Sequence, residues 1–394
     1  MSIRLIPADD GWWCVTGPRV ARLPMEAVVD GVLVEEARAV LDQNGFYAPP
    51  ARPFGVTVLT ATSCNLGCAY CFQNSGPAQA SPFAPPRIKR ALLSDNTISL
   101  ISGFVQERMQ QLSFDSLTVL LFGGEPLLNP TGCLGILRAL QPLGMVHAEM
   151  ISNTVLLRPH LAAQLHAAGL RRIQVTFDGA RTEHDHTRID HRGDGTYDRI
   201  MTNIRAAAAA VPELEWHYRV NISHHNIDGI ELLIDDLAQL PTSKPASLHL
   251  ALIDDVGVGY ENTVFYSTGL AERFLGLISR AMDRGLHVPV MGTSVADCPF
   301  CGEFAGGTGA VVNADGTLYS CWETAGRPEW AVGTVTEGYL PDADINDRWV
   351  ACDYAAASHG DNAEVRKFYD RVDAYILDRT HRPQRALANA AAAA

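Results

Sequence analysis

From about residue 55 the chain alternates short runs rich in β-branched residues with longer stretches of helical period. The strand candidates are GVTVLTA (55–61), SLTVLLFG (116–123), HAEMISN (147–153), RIQVTFD (172–178), WHYRVNIS (216–223) and LHLALI (248–253). Helical stretches fall between them, around 88–112, 132–142, 158–168, 197–210 and 227–239, and another follows at 271–284. Six strand–helix units in series predict a parallel sheet, because a crossover helix returns the chain to the same end. On pattern alone, a partial or full α/β barrel and an open doubly wound sheet both fit. Ahead of this region, residues 1–50 read as a small α+β preface. SIRLIPADDGWWCVTGPRVARLP has two strand-like runs around Gly and Pro turns, and MEAVVDGVLVEEARAVLDQNGF has helical periodicity with a Gly stop. The prolines of YAPPARPF mark the boundary between the two regions. The last five residues are all Ala and predict a frayed end.

Composition narrows what such a fold can do. With 394 residues, 47% hydrophobic and 19% charged, the chain has the material for an ordinary globular core. A net charge of −13 and the absence of any basic run argue against a nucleic-acid surface. The opening MSIRLIPADDGWWC lacks the basic start and apolar stretch of a signal peptide, and no apolar run approaches the roughly 20 residues of a membrane span. A soluble, cytoplasmic protein is expected, with no membrane partner. In a reducing compartment the nine cysteines do not read as a disulfide framework. Cys64, Cys68 and Cys71 form one tight group, and Cys298, Cys301 and Cys321 a second, with Cys352 downstream. Such groups read as metal or iron–sulfur ligands, whereas Cys14 and Cys133 stand alone and read as small core residues.

The first group follows the first main strand in TSCNLGCAYCFQN. C-x3-C-x2-C lets one loop supply three thiolates to three corners of a cubane cluster. The fourth iron is left open to bind a substrate or cofactor. A zinc knuckle with a ligand from elsewhere is the alternative. The spacing is odd for zinc, and the loop sits where α/β folds place their chemistry, at a strand's C-terminal end. CNLGCAYC resembles the signature loop of the radical S-adenosylmethionine (SAM) superfamily. The resemblance implies a [4Fe–4S] cluster on Cys64, Cys68 and Cys71, with SAM chelated by the open iron. Reductive cleavage of SAM then yields a 5′-deoxyadenosyl radical that abstracts hydrogen from a substrate. Tyr70 would lie against the adenine. The same resemblance assigns LFGGEPLL to the SAM ammonium, through Gly123, Gly124 and Glu125, and places Ser152 and Asn153 of ISNT at the barrel mouth. VTFDG followed by ARTEHDHTRID resembles the subgroup that modifies peptides and proteins. There Thr176 and Arg188 match the groups that meet the SAM ribose and carboxylate, a role suited to a guanidinium fork. Asn221 also falls at a SAM position. The plainer reading of Asp178, Asp185 and Arg188 is a solvated loop. His184, His186, His191, His224 and His225 read as exposed loop residues and not as a second metal site.

In the second group, VVNADGTLYSC reads as a hairpin with an Asp315–Gly316 turn that brings Cys321 back beside the C-x2-C pair. On these residues alone a zinc ribbon fits as well as an iron–sulfur cluster. The segment resembles the auxiliary-cluster region of the SPASM and twitch extensions of radical SAM proteins. A full SPASM domain needs about seven cysteines, so the resemblance and the count allow one auxiliary [4Fe–4S] cluster on Cys298, Cys301 and Cys321, with either Cys352 as fourth ligand or an open iron that could bind substrate directly. The sulfatase-maturing relatives carry a proton-accepting Asp where this chain has Trp322. Glu323 is then the nearest carboxylate and the catalytic candidate. Together these readings predict a partial (β/α)6 TIM-type barrel at 51–288, after the preface at 1–50. A cysteine-rich SPASM/twitch-like extension at 289–380 and a tail at 381–394 complete it. The expected substrate is a ribosomal precursor peptide, crosslinked or otherwise oxidised, with flavodoxin or ferredoxin as electron donor. A small-molecule dehydrogenase is the second reading, and a zinc-stabilised binding protein the third.

Overall fold

A computed structural model describes residues 3–48, 52–68, 70, 71, 73, 88–253, 262–291, 303–350 and 363–392. The preface begins with an antiparallel sheet of β1 (Arg4–Ala8), β2 (Gly11–Thr16) and β3 (Arg19–Leu23). The helix expected across 25–46 is shorter than its periodicity. β4 (Val28–Val29) and β5 (Val32–Leu33) pair around Asp30 and Gly31, whose φ values are 51° and 78°, and α1 spans only Glu35–Gln43. An Asp-Gly pair between β-branched residues is a strong hairpin signal, and here it overrides the helical period.

The six main strands form where the alternation puts them: β6 (Phe54–Ala61), β7 (Leu117–Gly123), β8 (Met145–Ile151), β9 (Arg172–Phe177), β10 (Glu215–Ile222) and β11 (Ser247–Leu252). All are parallel and lie side by side in chain order. An order that never reverses is that of a partial barrel, since a doubly wound sheet turns back at a switch point. The crossovers are α2 (Asp95–Leu112), α3 (Pro130–Leu140), α4 (Pro159–Ala167), α5 (Arg181–Thr187), α6 (Tyr197–Ala210) and α7 (Ile230–Ala238), and α8 (Thr268–Asp283) follows β11. α2 starts later than the expected residue 88. Ser94 caps it, accepting a hydrogen bond from Thr97 N at 3.2 Å, while Leu92 forms a β-bridge with Ala61.

Strand alternation divides the side chains between two faces. Ile173, Val175 and Phe177 of β9 and Trp216, Tyr218 and Val220 of β10 are buried in the main core between sheet and helices. The residues between them turn to the barrel interior. Cys14 and Cys133 are fully buried, as expected of core residues. β12 (Gly309–Val312) joins the sheet parallel to β6. The sheet continues antiparallel through β13 (Thr317–Tyr319), β14 (Gly333–Thr334) and β15 (Gly338–Tyr339), giving ten strands in all. β12 and β13 are the expected hairpin. Gly316 has φ 89°, and Asp315 accepts from Thr317 N at 3.0 Å. Two helices complete the described chain, α9 (Asp342–Ile345) and α10 (Ala363–Ala392). Among the described residues no helix is long and apolar enough to cross a membrane.

The preface is fastened to α10 by charge. Arg4 contacts Asp373 at 2.5 Å and Asp370 at 2.9 Å, Trp13 Nε1 donates to Asp378 at 3.0 Å, and Asp373 also accepts from Met291 N at 2.6 Å. Asp373 is fully buried. Removing the cation alone leaves a desolvated carboxylate, which typically costs about 3–5 kcal/mol. Arg4→Ala should therefore lower the midpoint of urea unfolding strongly, whereas Arg19→Ala, at an exposed hydrogen bond to Ala48 O, should shift it little. Equal shifts in the two variants would refute the fastening role.

Candidate active site at the barrel mouth

The cysteine loop leaves β6 at its C-terminal end and is stitched to the strands beside it. Gly124 N donates to Ala61 O and Glu125 N to Ser63 O, both at 2.9 Å. Further along, Gly67 N donates to Ile189 O at 2.9 Å and His191 Nε2 to Cys64 O at 2.8 Å. Asn153 Nδ2 donates to Asn65 Oδ1 at 2.9 Å and approaches Cys64 Sγ at 3.7 Å. The two glycines of GGEP are required by this approach. A Cβ on Gly123, whose φ is 140°, would stand 2.1 Å from Ala61 O, and one on Gly124 would stand 2.3 Å from Ser63 O. Only glycine fits such contacts.

Glu125 is fully buried, with its carboxylate aimed at the chain itself. It accepts from Leu127 N at 2.9 Å, Ser152 Oγ at 2.7 Å and Asn153 N at 2.8 Å. Burial raises its pKa against these three donors. Ser152 Oγ also accepts from Thr154 N at 2.9 Å, which holds Thr154 at φ 58°. Glu125, Ser152 and Asn153 thus tie the ends of β7 and β8 to the cysteine loop.

A second polar knot lies across the mouth. Tyr70, between the second and third loop cysteines, donates its hydroxyl to Asp178 at 2.7 Å. The same hydroxyl accepts from Arg188 Nη1 at 2.8 Å and Asn221 Nδ2 at 3.1 Å. Arg188 also meets Asp178 at 3.5 Å, and its buried Nε has no partner among the described residues. The solvated-loop reading is overturned here: Asp178 is 1% exposed and Arg188 8%. Asp185 caps α6 by accepting from Thr196 N at 2.7 Å and Tyr197 N at 2.8 Å. His184, expected on the surface, is fully buried, with Nε2 at 3.2 Å from Thr196 Oγ1 and its ring against Phe177 and Tyr197. α5 turns it inward, a direction that loop polarity alone did not signal. Asp178 was not among the expected site residues, although its place at the end of a buried strand was a usable cue. Burial raises the Asp178 pKa while Arg188 opposes the shift.

The three loop thiols are half-buried and form no disulfide among the described residues. Burial pushes the Cys68 thiol up to about 11, with Arg188 pulling the other way, and raises the Cys64 thiol too. A buried group of thiols becomes a group of thiolates when a cationic centre compensates the charge, so the donor set fits an iron–sulfur cluster. Among the described residues no three His, Cys, Asp or Glu side chains converge on one metal ion. A cubane, which takes its thiolates at separate corners, needs no such convergence.

Residues 58–237 match the Radical SAM superfamily. The chain carries a radical SAM domain. It is an enzyme domain, and its relatives differ in how much of the chain they share. A GTP 3′,8-cyclase of Synechococcus sp. strain CC9902 is 32% identical over 152 residues, 37% of this chain and 36% of that protein, so the chain spans only about a third of its length. The mycofactocin maturase MftC of Mycobacterium ulcerans is 25% identical over 292 residues, 71% of this chain and 70% of that protein. Among solved structures, native anSMEcpe with bound AdoMet and Cp18Cys peptide has a TM-score of 0.57 at 13% identity, covering 83% of this chain and 97% of that one. At that identity the likeness shows the fold alone.

In the segment after the radical SAM domain, Cys321 is fully buried just past β13, and Thr324 Oγ1 donates to its carbonyl at 2.9 Å. Cys298, Cys301 and Cys352 lie outside the described residues. Trp322 packs on Phe122 with ring centroids 5.3 Å apart, while Glu323 beside it is exposed. The knot and the glycine contact make separable predictions. Asp178→Ala should cost about 3–5 kcal/mol by leaving Arg188 buried without its carboxylate. Gly124→Ala should cost about 1–3 kcal/mol by displacing Ser63 and Cys64. Denaturant titrations read both, and a Gly124→Ala protein as stable as the parent would refute the contact.

Proposed function

We propose that this chain is a radical SAM enzyme that modifies a ribosomally made precursor peptide. The reading rests on one observation above others: a three-cysteine loop tied by backbone hydrogen bonds across the mouth of a six-stranded half-barrel, beside a buried guanidinium with an unused N–H. Cys64, Cys68 and Cys71 would hold the [4Fe–4S] cluster, and the cluster with SAM bound supplies the reductive cleavage that starts radical chemistry. Arg188 and Thr176 would meet the SAM carboxylate and ribose, the guanidinium through its orphan Nε. Asn221 and Tyr70 would flank the nucleoside, Tyr70 by its ring. Gly123, Gly124 and Glu125 would bound the ammonium, with Ser152 and Asn153 holding that segment in place. Cys298, Cys301, Cys321 and Cys352 would carry one auxiliary cluster of SPASM or twitch type. Glu323, next in sequence to Trp322, would take a proton, and flavodoxin or ferredoxin would supply electrons.

The peptide substrate is favoured by coverage. MftC is a maturase by name and aligns over more than two thirds of both chains, whereas the cyclase aligns over about a third of each. The cyclase is the observation behind a small-molecule alternative. Anaerobically reconstituted protein should contain about eight irons per chain and release deoxyadenosine from SAM. Replacing Cys64, Cys68 and Cys71 together by Ala should abolish that release, and its survival would sink the whole reading. Iron near four, with zinc making up the rest, would remove the auxiliary cluster alone. A mass shift in a co-expressed precursor peptide separates peptide from small-molecule chemistry.

A further inference from the structure

The segment that joins α5 to α6 touches both the polar knot and the cysteine loop. Arg188 enters the knot with Tyr70 and Asp178. Beyond it Asp190 forms an antiparallel bridge with Leu66, Ile189 O accepts from Gly67 N at 2.9 Å, and His191 Nε2 donates to Cys64 O at 2.8 Å. A further bridge, between Ile189 and Gly195, folds the segment back on itself and returns it to Thr196 at the start of α6. Residues 188–196 thus form one clasp that carries the guanidinium and borders the cysteine loop.

Two buried side chains close the base of this clasp. Thr196 Oγ1 donates to Arg188 O at 2.7 Å, and His184 Nε2 lies 3.2 Å from the same hydroxyl. A hydroxyl has one proton, and here it is spent on Arg188 O. His184 Nε2 therefore carries its own proton and donates, a tautomer assigned from the bonding pattern. Burial, with the Arg188 charge second, holds the His184 pKa well below its usual value, which agrees with a neutral imidazole. Arg188 N donates to His184 O at 2.7 Å, so both backbone polar groups of Arg188 are fixed by this pair. The ring sits against Phe177 and Tyr197, and its Nδ1 has no partner among the described residues. A phenyl ring would fill that space without burying an idle nitrogen, so packing alone gives no reason for an imidazole here.

We propose that His184 is a positioning residue that acts through Thr196 to lock the clasp, setting the Arg188 guanidinium and the cysteine loop together. A guanidinium can pair a carboxylate bidentately only when its backbone is held in place, and small displacements of such a group are costly to binding. The half of the proposal that concerns Arg188 rests on the reading of that residue as the partner of the SAM carboxylate. The half that concerns the cysteine loop rests on the bridges alone.

Two substitutions at position 184 separate positioning from packing. His184→Phe fills the aromatic site and removes the donor. His184→Gln keeps an N–H near the reach of Nε2 but leaves a carbonyl oxygen among apolar rings. Packing alone therefore ranks Phe above Gln, whereas positioning ranks Gln above Phe. Calorimetric titration of anaerobically reconstituted protein with SAM reads the guanidinium, and hydrogen–deuterium exchange over residues 64–68 reads the loop through Gly67 N–H. His184→Phe should weaken SAM binding at least about fivefold and speed that exchange by at least about fivefold, the loss of one net hydrogen bond. His184→Gln should stay within about twofold of the parent in both readings, since its donor is kept. Thr196→Val should behave as the Phe variant and Thr196→Ser as the Gln variant, a second pair that guards against a folding failure at position 184. A Phe variant equal to the parent in either reading would overturn the proposal, as would a Gln variant worse than the Phe variant. Wild-type protein that fails to bind SAM would defeat the cofactor reading of Arg188. The exchange over 64–68 needs no SAM and would then decide the lock by itself.

Discussion

The barrel mouth depends on how closely the end of β7 approaches the loop that leaves β6. Two backbone hydrogen bonds, Gly124 N to Ala61 O and Glu125 N to Ser63 O, set that distance, and side chains at positions 123 and 124 would prevent it. Once the loop is drawn in, its carbonyls and thiols come within reach of β8 and of the segment after α5. Asn153 and His191 then hold it from either side. The buried Glu125 carboxylate makes the arrangement cooperative, since it accepts hydrogen bonds from residues following both β7 and β8. A carboxylate desolvated to this degree is tolerable only with several donors in place. A local disturbance of any of these donors is therefore felt across three strand ends.

The Tyr70 knot works in the same way on the opposite side of the mouth. It joins the cysteine loop to β9 and β10 through one hydroxyl that donates to Asp178 and accepts from Arg188 and Asn221. Its charges are buried and paired, and such pairs are better at fixing one geometry than at adding net stability. Here the geometry fixed is that of a thiol-bearing loop. The Nε of Arg188 is a buried donor in the knot that finds no acceptor among the described residues.

Most of the barrel was legible because its signals are local and repeated. Each main strand is a short β-branched run, each crossover has a helical period, and a parallel sheet follows from their alternation. The cysteine loop was equally plain, since three cysteines within eight residues need no tertiary information. What failed to show were directions and burial. The helical period of 25–46 hid an Asp-Gly hairpin, and the polar string 181–190 hid a short helix that turns His184 and Arg188 inward. Polarity marks exposure only on average, and a barrel mouth is where polar residues are buried for use. Gly123 and Gly124 were recognised as sites of close approach, but the partner in that approach includes the chain's own loop as well as any ligand.

The sheet also explains why the segment after α8 belongs mechanically to the barrel. β12 pairs with β6 in parallel, the strand from which the cysteine loop departs, and its hairpin partner β13 leads directly into Cys321 and Trp322. A displacement of this hairpin would be transmitted to β6 through backbone hydrogen bonds and to β7 through the contact of Trp322 with Phe122. Among the described residues the two ends of the ten-stranded sheet are β11 and β15, and their strand pairing does not close it on itself. The interior these strands enclose has an apolar cluster on β6 and β7 facing polar positions on β9 and β10, so the hairpin's Tyr319 and Trp322 complete the apolar side.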